Sequence, residues 1–160
     1  MDFHDLYSRY ARDVHRFALY LSGDQALADD ITSETFLRAW SSTAPIREAT
    51  VKSYLFAIAR NVHRAELQRT RRNVELPDTI AAPDTEPDAR LDRRAALATV
   101  LGALRQLPEV DRAALIMRAQ DGMPYEEIAR ALKLSLSNAK VKIHRARLKL
   151  AALLPGTVLP

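Results

Sequence analysis

Cysteine is absent from the 160-residue sequence. Its absence excludes disulfide bonds, cysteine-ligated zinc and a thiol nucleophile, and it is typical of proteins from a reducing compartment. Long apolar runs are absent as well. The first residues, MDFHDLYSRYARDVHRF, lack a signal-peptide core, and no segment approaches the roughly 20 apolar residues of a membrane-spanning helix. We therefore expect a soluble cytoplasmic protein without membrane insertion.

Acidic residues are missing from the C-terminal part of the chain, where no Asp or Glu follows Glu127. The segment SLSNAKVKIHRARLKL, residues 135–150, carries five Lys and Arg residues. The net charge is only +4, and 48% hydrophobic with 28% charged residues predicts a globular protein. The location of the positive charge is therefore more informative about function than its total.

Strand patterns and glycine-rich loops are also scarce. No stretch of useful length alternates apolar and polar residues, and the four glycines form no phosphate-binding loop. Apolar residues instead recur at helical spacing in both halves of the chain, which predicts an all-α fold. Helix boundaries are predicted at Gly23, at Pro108 and at Ser135.

Proline and acidic residues concentrate in NVELPDTIAAPDTEPDARLD, residues 73–92, which holds six acids, one Arg and three of the eight prolines. Proline interrupts helices, and the apolar content is too low to support a packed core. We predict a flexible acidic linker over residues 73–93, between two small helical domains at residues 1–72 and 94–154. An ordered surface loop is the alternative, although loops this long are uncommon inside one domain.

A helix-turn-helix is predicted where PYEEIARAL, the turn KLS and a helix beginning near Ser135 follow one another. Leu136, Ala139 and Ile143 are expected to face inward. A helix in the major groove lies between two phosphate strands, where acids are repelled and each Lys or Arg releases counterions. Residues early in this helix can reach base edges, and the later arginines suit phosphates. The alternative to DNA binding is a basic helix surface that faces only solvent. The candidate DNA contacts are Ser137, Asn138, Lys140, Val141, Lys142, His144, Arg145 and Arg147.

The acidic segment DDITSETFLRAW, residues 29–40, is a second candidate site. Asp30 and Glu34 are four residues apart, so both carboxylates project from one side of a helix. The residues alone allow a metal site, a solvated acidic surface, or a docking surface that includes Phe36, Leu37 and Trp40. A metal site would lack histidine and a second acidic cluster, and Trp40 could instead belong to the core.

The C-terminal motifs resemble the −35-reading domain of bacterial RNA polymerase sigma factors, in particular the extracytoplasmic-function (ECF) subfamily. The resemblance rests on Leu107-Pro108, on Tyr-Glu-Glu-Ile-Ala at 125–129, on Ser135 and on His-Arg-Ala-Arg at 144–147. Many members begin this helix with Gly-Thr-Val-Lys, whereas residues 137–140 here are Ser-Asn-Ala-Lys. The departure would alter which bases are read.

The N-terminal motifs resemble the same family. DDITSETFLRAW is similar to the sigma helix that binds the coiled coil of the largest polymerase subunit, although Ser33 stands where many members have Gln. The implied polymerase contacts are Asp29, Asp30, Glu34, Leu37 and Arg38. Residues 43–72 resemble the −10 element reader, which holds a base flipped from the melted strand and the adjoining duplex. The implied −10 DNA contacts are Arg47, Lys52, Arg60, Asn61, Arg64, Arg69, Arg71 and Arg72.

The resemblance implies an alternative sigma factor that directs promoter-specific initiation by reading −35 and −10 elements. Its expected partners are the largest and second-largest subunits of core RNA polymerase, promoter DNA and, as in many members, an anti-sigma factor. The acidic linker would cross a positively charged polymerase channel as a nucleic-acid mimic. No enzyme activity, metal or cofactor is expected, because the histidines (His4, His15, His63 and His144) are scattered without a catalytic pairing. The alternative is a stand-alone helix-turn-helix regulator that binds duplex DNA as a dimer.

Overall fold

A computed structural model of the chain describes residues 2–42, 45–72 and 89–154, with side chains in the last range from residue 92. Within these ranges the chain is helical and has no strand, which confirms the all-α prediction. The elements are α1 (Phe3–Ser22), α2 (Gln25–Ser41), a 3₁₀ turn (Glu48–Thr50), α3 (Val51–Arg72), α4 (Ala89–Arg105), α5 (Glu109–Ala119), α6 (Tyr125–Leu132) and α7 (Leu136–Leu153). None of the described helices is long and apolar enough to cross a membrane.

The predicted helix boundaries are confirmed by their capping geometry. Gly23 ends α1 in the left-handed conformation, with φ of 72°. Asp24 then begins α2 by accepting a hydrogen bond from the backbone N–H of Leu27 at 3.1 Å. Ser135 begins α7 in the same way, because its hydroxyl accepts the N–H of Asn138 at 3.1 Å.

Three helices form the N-terminal half, in which α1 packs against both α2 and α3. The rings of Phe17 and Phe56 stack with centroids 4.6 Å apart, and Phe36 is buried in the same core. The expectation that Phe36 belongs to an exposed docking surface is therefore wrong, because its side of α2 packs inward. The C-terminal half consists of α4 to α7, and its core includes Met117 and Ile128.

The inward-facing residues of α7 were predicted correctly at two of three positions. Ala139 and Ile143 are buried, whereas Leu136 is 39% exposed, so that prediction is wrong for Leu136. Residues 135–138 are all exposed, and Ala139 is the first buried residue of α7.

The two halves pack against each other in one structure. Helix α1 contacts α4 and α5, and α3 contacts α6, so that the buried apolar residues of both halves form one cluster. Residues 73–88 of the predicted linker lie outside the described residues. Residues 89–93, also assigned to the linker, are helical, because Ala and Arg favour helix and Asp92 lies in the first turn of α4.

Candidate nucleic-acid interface

The first turns of α7 present an exposed polar surface without acidic residues. Asn138, Lys140, Val141 and His144 are exposed, and Val141 is 57% accessible. The ammonium of Lys140 lies 5.5 Å from the ring centroid of Tyr125 on α6, so the two helices of the helix-turn-helix are close together at this point. With Ser137, which is also exposed, these residues form the predicted DNA-facing surface.

Arg145 has a carboxylate partner that the sequence did not indicate. Its guanidinium donates to Asp111 on α5, with Nε to Oδ2 at 2.9 Å and Nη2 to Oδ1 at 3.1 Å. Asp111 is buried, and Lys142 Nζ also lies 3.7 Å from Oδ1. The hydrogen bonds that Arg145 donates to Asp111, followed by the negative charge of Asp111, raise the pKa of the Arg145 guanidinium. Asp111 therefore fixes the rotation of α7 on α5 through two of the predicted DNA-contacting cations.

Arg147 lies on another side of α7. Its half-buried side chain lines a cavity of about 230 Å³ together with Tyr20, Leu104 and Leu150, and its Nε has no hydrogen-bond partner within the described ranges. Among the predicted −35 contacts, Arg147 is thus the one that the fold places toward the interior of the molecule.

The acidic helix α2 exposes most of its candidate docking residues. Asp29 and Asp30 are exposed, and the carboxylate of Glu34 accepts a hydrogen bond from Arg38 Nε at 2.9 Å. Asp29 Oδ1 lies 2.7 Å from His15 Nε2. A search of the described residues finds no group of three or more His, Asp and Glu side chains with metal-binding geometry.

Trp40 belongs to the surface rather than to the core. It is 52% exposed, and Leu37, one turn earlier, is 59% exposed. The ring of Trp40 meets that of Phe3 edge-on at 5.5 Å, and Phe3 stacks with Tyr7 at 6.1 Å. An exposed aromatic and aliphatic patch therefore adjoins the acidic residues of α2, an arrangement typical of interface anchors.

Most of the predicted −10 contacts are exposed, and some of them pair with carboxylates of the protein itself. The exposed positions on and before α3 are Arg47, Asn61, Arg64, Arg69, Arg71 and Arg72. Arg69 donates to Glu66 at 2.8 Å in the same helix. Arg60 is only 8% exposed and donates two hydrogen bonds of 2.9 Å to Glu109 of the C-terminal half. Lys52 Nζ lies 3.3 Å from Asp121 and 3.4 Å from Asp13.

His63 is buried next to this contact between the halves. It is 2% exposed, and its Nδ1 has no hydrogen-bond partner among the described residues. Burial lowers the pKa of His63, the nearby Glu109 opposes this effect, and Arg112 and Arg60 lower the pKa further. The sequence suggested that His63 is an ordinary polar residue on a basic helix. Neither its burial nor its neighbours could be predicted, because helical spacing does not show which helices pack against it.

Comparisons with known proteins identify the family. The Sigma-70 region 2 model matches residues 6–73, and the model described as Sigma-70, region 4 matches residues 97–150. The ECF RNA polymerase sigma factor EcfG of Rhodopseudomonas palustris is 33% identical over 142 residues, which cover 88% of this chain and 78% of EcfG. The chain belongs to the ECF sigma factors. The ECF sigma factor SigM of Bacillus subtilis is 28% identical over 158 residues, or 96% of this chain and 95% of SigM.

Solved sigma factors share the fold of this ECF sigma factor. RpoE of Bartonella quintana, in complex with the anti-sigma factor NepR, superposes with a TM-score of 0.79, at 23% identity and over 98% of this chain and 99% of that one. CnrH, in complex with the cytosolic domain of CnrY, gives a TM-score of 0.71 at 26% identity, over 98% of this chain and 89% of CnrH. The ECF sigma factor described here is an alternative sigma factor that binds core RNA polymerase and promoter DNA and directs transcription initiation.

Proposed function

We propose that this ECF sigma factor divides promoter recognition between its halves, with α1–α3 binding core polymerase and the −10 element and α4–α7 binding the −35 element. The exposed first turn of α7, which is free of acidic residues, supports this assignment best. The factor acts in the cytoplasm beside the polymerase and contributes binding energy rather than catalysis of its own, because base unstacking can be offset by contacts to the splayed strand.

In the C-terminal half, the early residues of α7 read base edges and the basic ones contact phosphates. Asn138 and Lys140 are exposed in the first turns of α7, where their side chains are accessible to base edges in a major groove. Val141 offers an apolar contact to a thymine methyl group. The proposed −35 surface comprises Ser137, Asn138, Lys140, Val141 and His144, with Lys142 and Arg145 as its supporting cations. Arg147 is left out of it, because its side chain lines the cavity beside Tyr20 and Leu150.

In the N-terminal half, we assign polymerase binding to α2 and the −10 element to α3. Exposed Leu37 surrounded by Asp29, Asp30, Glu34 and Arg38 suits a partner that combines an apolar ridge with basic side chains. The arginines of α3 that face solvent suit the phosphates of the −10 element. RpoE of Bartonella quintana, which shares this fold, is bound by the anti-sigma factor NepR, and we extend an anti-sigma partner to this chain as part of the proposal.

Run-off transcription tests the proposal directly. Purified bacterial core polymerase with the wild-type chain should give discrete transcripts from a promoter pool, and those transcripts should share −35 and −10 sequences. Lys140→Ala should reduce them, whereas Arg12→Ala, which removes an exposed cation from α1 outside the proposed surfaces, should not. Tight duplex binding by the chain alone, with no transcripts and no binding to core, would instead support a stand-alone regulator.

A further inference from the structure

A small cavity lies where α1, α4, α5 and α7 meet. Its volume is about 230 Å³. Most of the residues that line it are apolar, namely Val100, Leu104, Leu115, Ile116, Ala119 and Leu150. Leu104, Leu115, Ile116 and Leu150 are each at most 5% exposed, so the cavity is a recess in the packed interior of the molecule.

Among the described residues that line the cavity, Arg147 is the only charged one, and Tyr20 and Gln120 are polar but neutral. The Arg147 side chain is half-buried. Its Nε is shielded from solvent and has no hydrogen-bond partner in the described part of the chain. A buried donor without a partner costs free energy, and most such groups in folded proteins are paired. The cavity therefore combines an apolar wall with a guanidinium that can still accept a partner.

Water is a poor occupant of this cavity. At roughly 30 Å³ per molecule, its volume corresponds to about eight waters, each of which needs two to four hydrogen-bond partners. Three polar residues on an apolar wall cannot satisfy that many molecules. An apolar cavity of about 150 Å³ stays dry and binds benzene, so this larger cavity suits a somewhat larger apolar molecule.

The single guanidinium selects the polar group of such a molecule. A carboxylate carries one negative charge and can accept two parallel hydrogen bonds from a guanidinium. A phosphate monoester carries nearly two negative charges at pH 7, and one Arg beside an apolar wall would leave part of that charge unpaired. Gln120 is exposed, so its side of the cavity is the one through which a ligand can enter.

We propose that this cavity binds a small carboxylic acid with an apolar body, of about the size of octanoate. The apolar chain lies between Leu104, Leu115 and Leu150, and the carboxylate pairs with Arg147. None of the described lining residues belongs to the surfaces proposed above for polymerase or promoter DNA, so this site is separate from them. The bound acid contacts helices from both halves of the molecule and stabilises the folded chain.

Calorimetric titration of the full chain with sodium octanoate tests the site, with 1-octanol as the uncharged comparison. Octanoate should bind at least about tenfold more tightly than octanol, because its carboxylate gains charged hydrogen bonds. Arg147→Gln should weaken octanoate binding to about the affinity of octanol. Arg130→Gln, which removes an exposed arginine from α6, is the matched control and should change neither affinity. Absence of octanoate binding, or equal octanoate affinity of the two variants, would overturn the proposal.

Methyl resonances of leucine show where octanoate binds. In a chain with labelled leucine methyl groups, octanoate should shift the signals of Leu104 and Leu150 and leave that of Leu6, in the N-terminal core, unchanged. Shifts confined to the exposed residues Leu37 and Leu148 would show that octanoate binds only to apolar surface, which also contradicts the proposal.

Filling the cavity provides an independent test. Ala119→Leu adds apolar volume to the wall and should abolish the binding of both octanoate and octanol, whereas Ala151→Leu, at an exposed position of α7, should not. Circular dichroism establishes that the variants are folded. Undiminished octanoate binding by a folded Ala119→Leu chain would place the ligand outside the cavity. The titrations of the wild-type chain and of Arg147→Gln do not depend on this variant, and none of the measurements depends on the proposed promoter function.

Discussion

At the scale of single residues, charge alone does not reveal which cations are available to DNA. The sequence grouped Arg145 with Lys140 because both lie on a basic helix without acids. In the structure, Arg145 pairs with Asp111, which lies 34 positions earlier in the chain, whereas Lys140 lies over the ring of Tyr125. The partner was invisible to the sequence because helical spacing relates neighbours within one helix and not carboxylates from another.

Salt dependence separates the two kinds of cation. Lys140→Ala should weaken binding to a −35 duplex and reduce the slope of log affinity against log salt by about one, because one phosphate contact is lost. Arg145→Ala should also weaken binding but leave that slope unchanged and lower the Tm, because it loosens α7 on α5. Duplex titrations at several salt concentrations measure the affinity and its salt slope, and thermal unfolding of both variants measures the Tm. Equal slope changes for the two variants would assign Arg145 to a phosphate.

His63 gives the free energy of unfolding a specific dependence on pH. Burial depresses its pKa in the folded protein below the ordinary value near 6.5, so the unfolded chain binds more protons as the pH falls through that value. Stability should therefore decrease as the pH is lowered from about 7.5 to about 5.5. Urea unfolding at both pH values measures the loss. The loss should be smaller in His63→Leu and unchanged in His4→Gln, and an equal loss in all three chains would exclude His63 as the cause.

At the scale of helices, the sequence predicted the boundaries well because the caps are local. Gly23, Asp24 and Ser135 each act through backbone groups within three or four positions, which residue type and order determine. Burial near the ends of the apolar faces of the helices was less predictable. Leu136 continues the apolar spacing of α7 but precedes its packing partners, and the spacing of Trp40 on α2 was equally compatible with core and surface. Those outcomes depend on where neighbouring helices end.

The exposed patch of α2 should contribute to polymerase affinity without contributing much to stability. Leu37→Ala removes an exposed apolar side chain from the proposed docking surface, and interface anchors cost about 1–3 kcal/mol when truncated. We therefore expect core polymerase to bind this variant at least about fivefold more weakly, with an unchanged Tm. Leu67→Ala, at a 37% exposed position on α3, is the matched control. Equal affinities of the two variants would place the polymerase contact elsewhere.

At the scale of the whole molecule, the sequence predicted two domains and a linker, whereas the relation between the domains had to come from the structure. Arg60 and Glu109 are 49 positions apart, and the sequence grouped Arg60 with the −10 contacts without indicating a carboxylate partner for it. The fold adds that the guanidinium of Arg60 and the carboxylate of Glu109 bind each other across the two halves, which no local pattern can predict.

Two glycines offer a matched test of how the contact between the halves contributes to stability. Gly23 and Gly122 both have positive φ, of 72° and 58°, so alanine at either position is strained in its backbone to a similar extent. A Cβ at Gly23 would collide with the guanidinium of Arg105 in the other half of the molecule, whereas no described atom lies within 4 Å of a Cβ at Gly122. The Arg105 side chain would have to move, and its hydrogen bond to the Gly23 carbonyl would be lost.

Gly23→Ala should therefore destabilise the protein more than Gly122→Ala does. Both variants should lose about 1 kcal/mol of unfolding free energy through the strained backbone. Gly23→Ala should lose about a further 0.5–1.5 kcal/mol, because the hydrogen bond that Arg105 donates to the Gly23 carbonyl is broken. Urea unfolding of the two variants measures the difference. Equal losses would show that the contact of Arg105 with the end of α1 contributes nothing to stability.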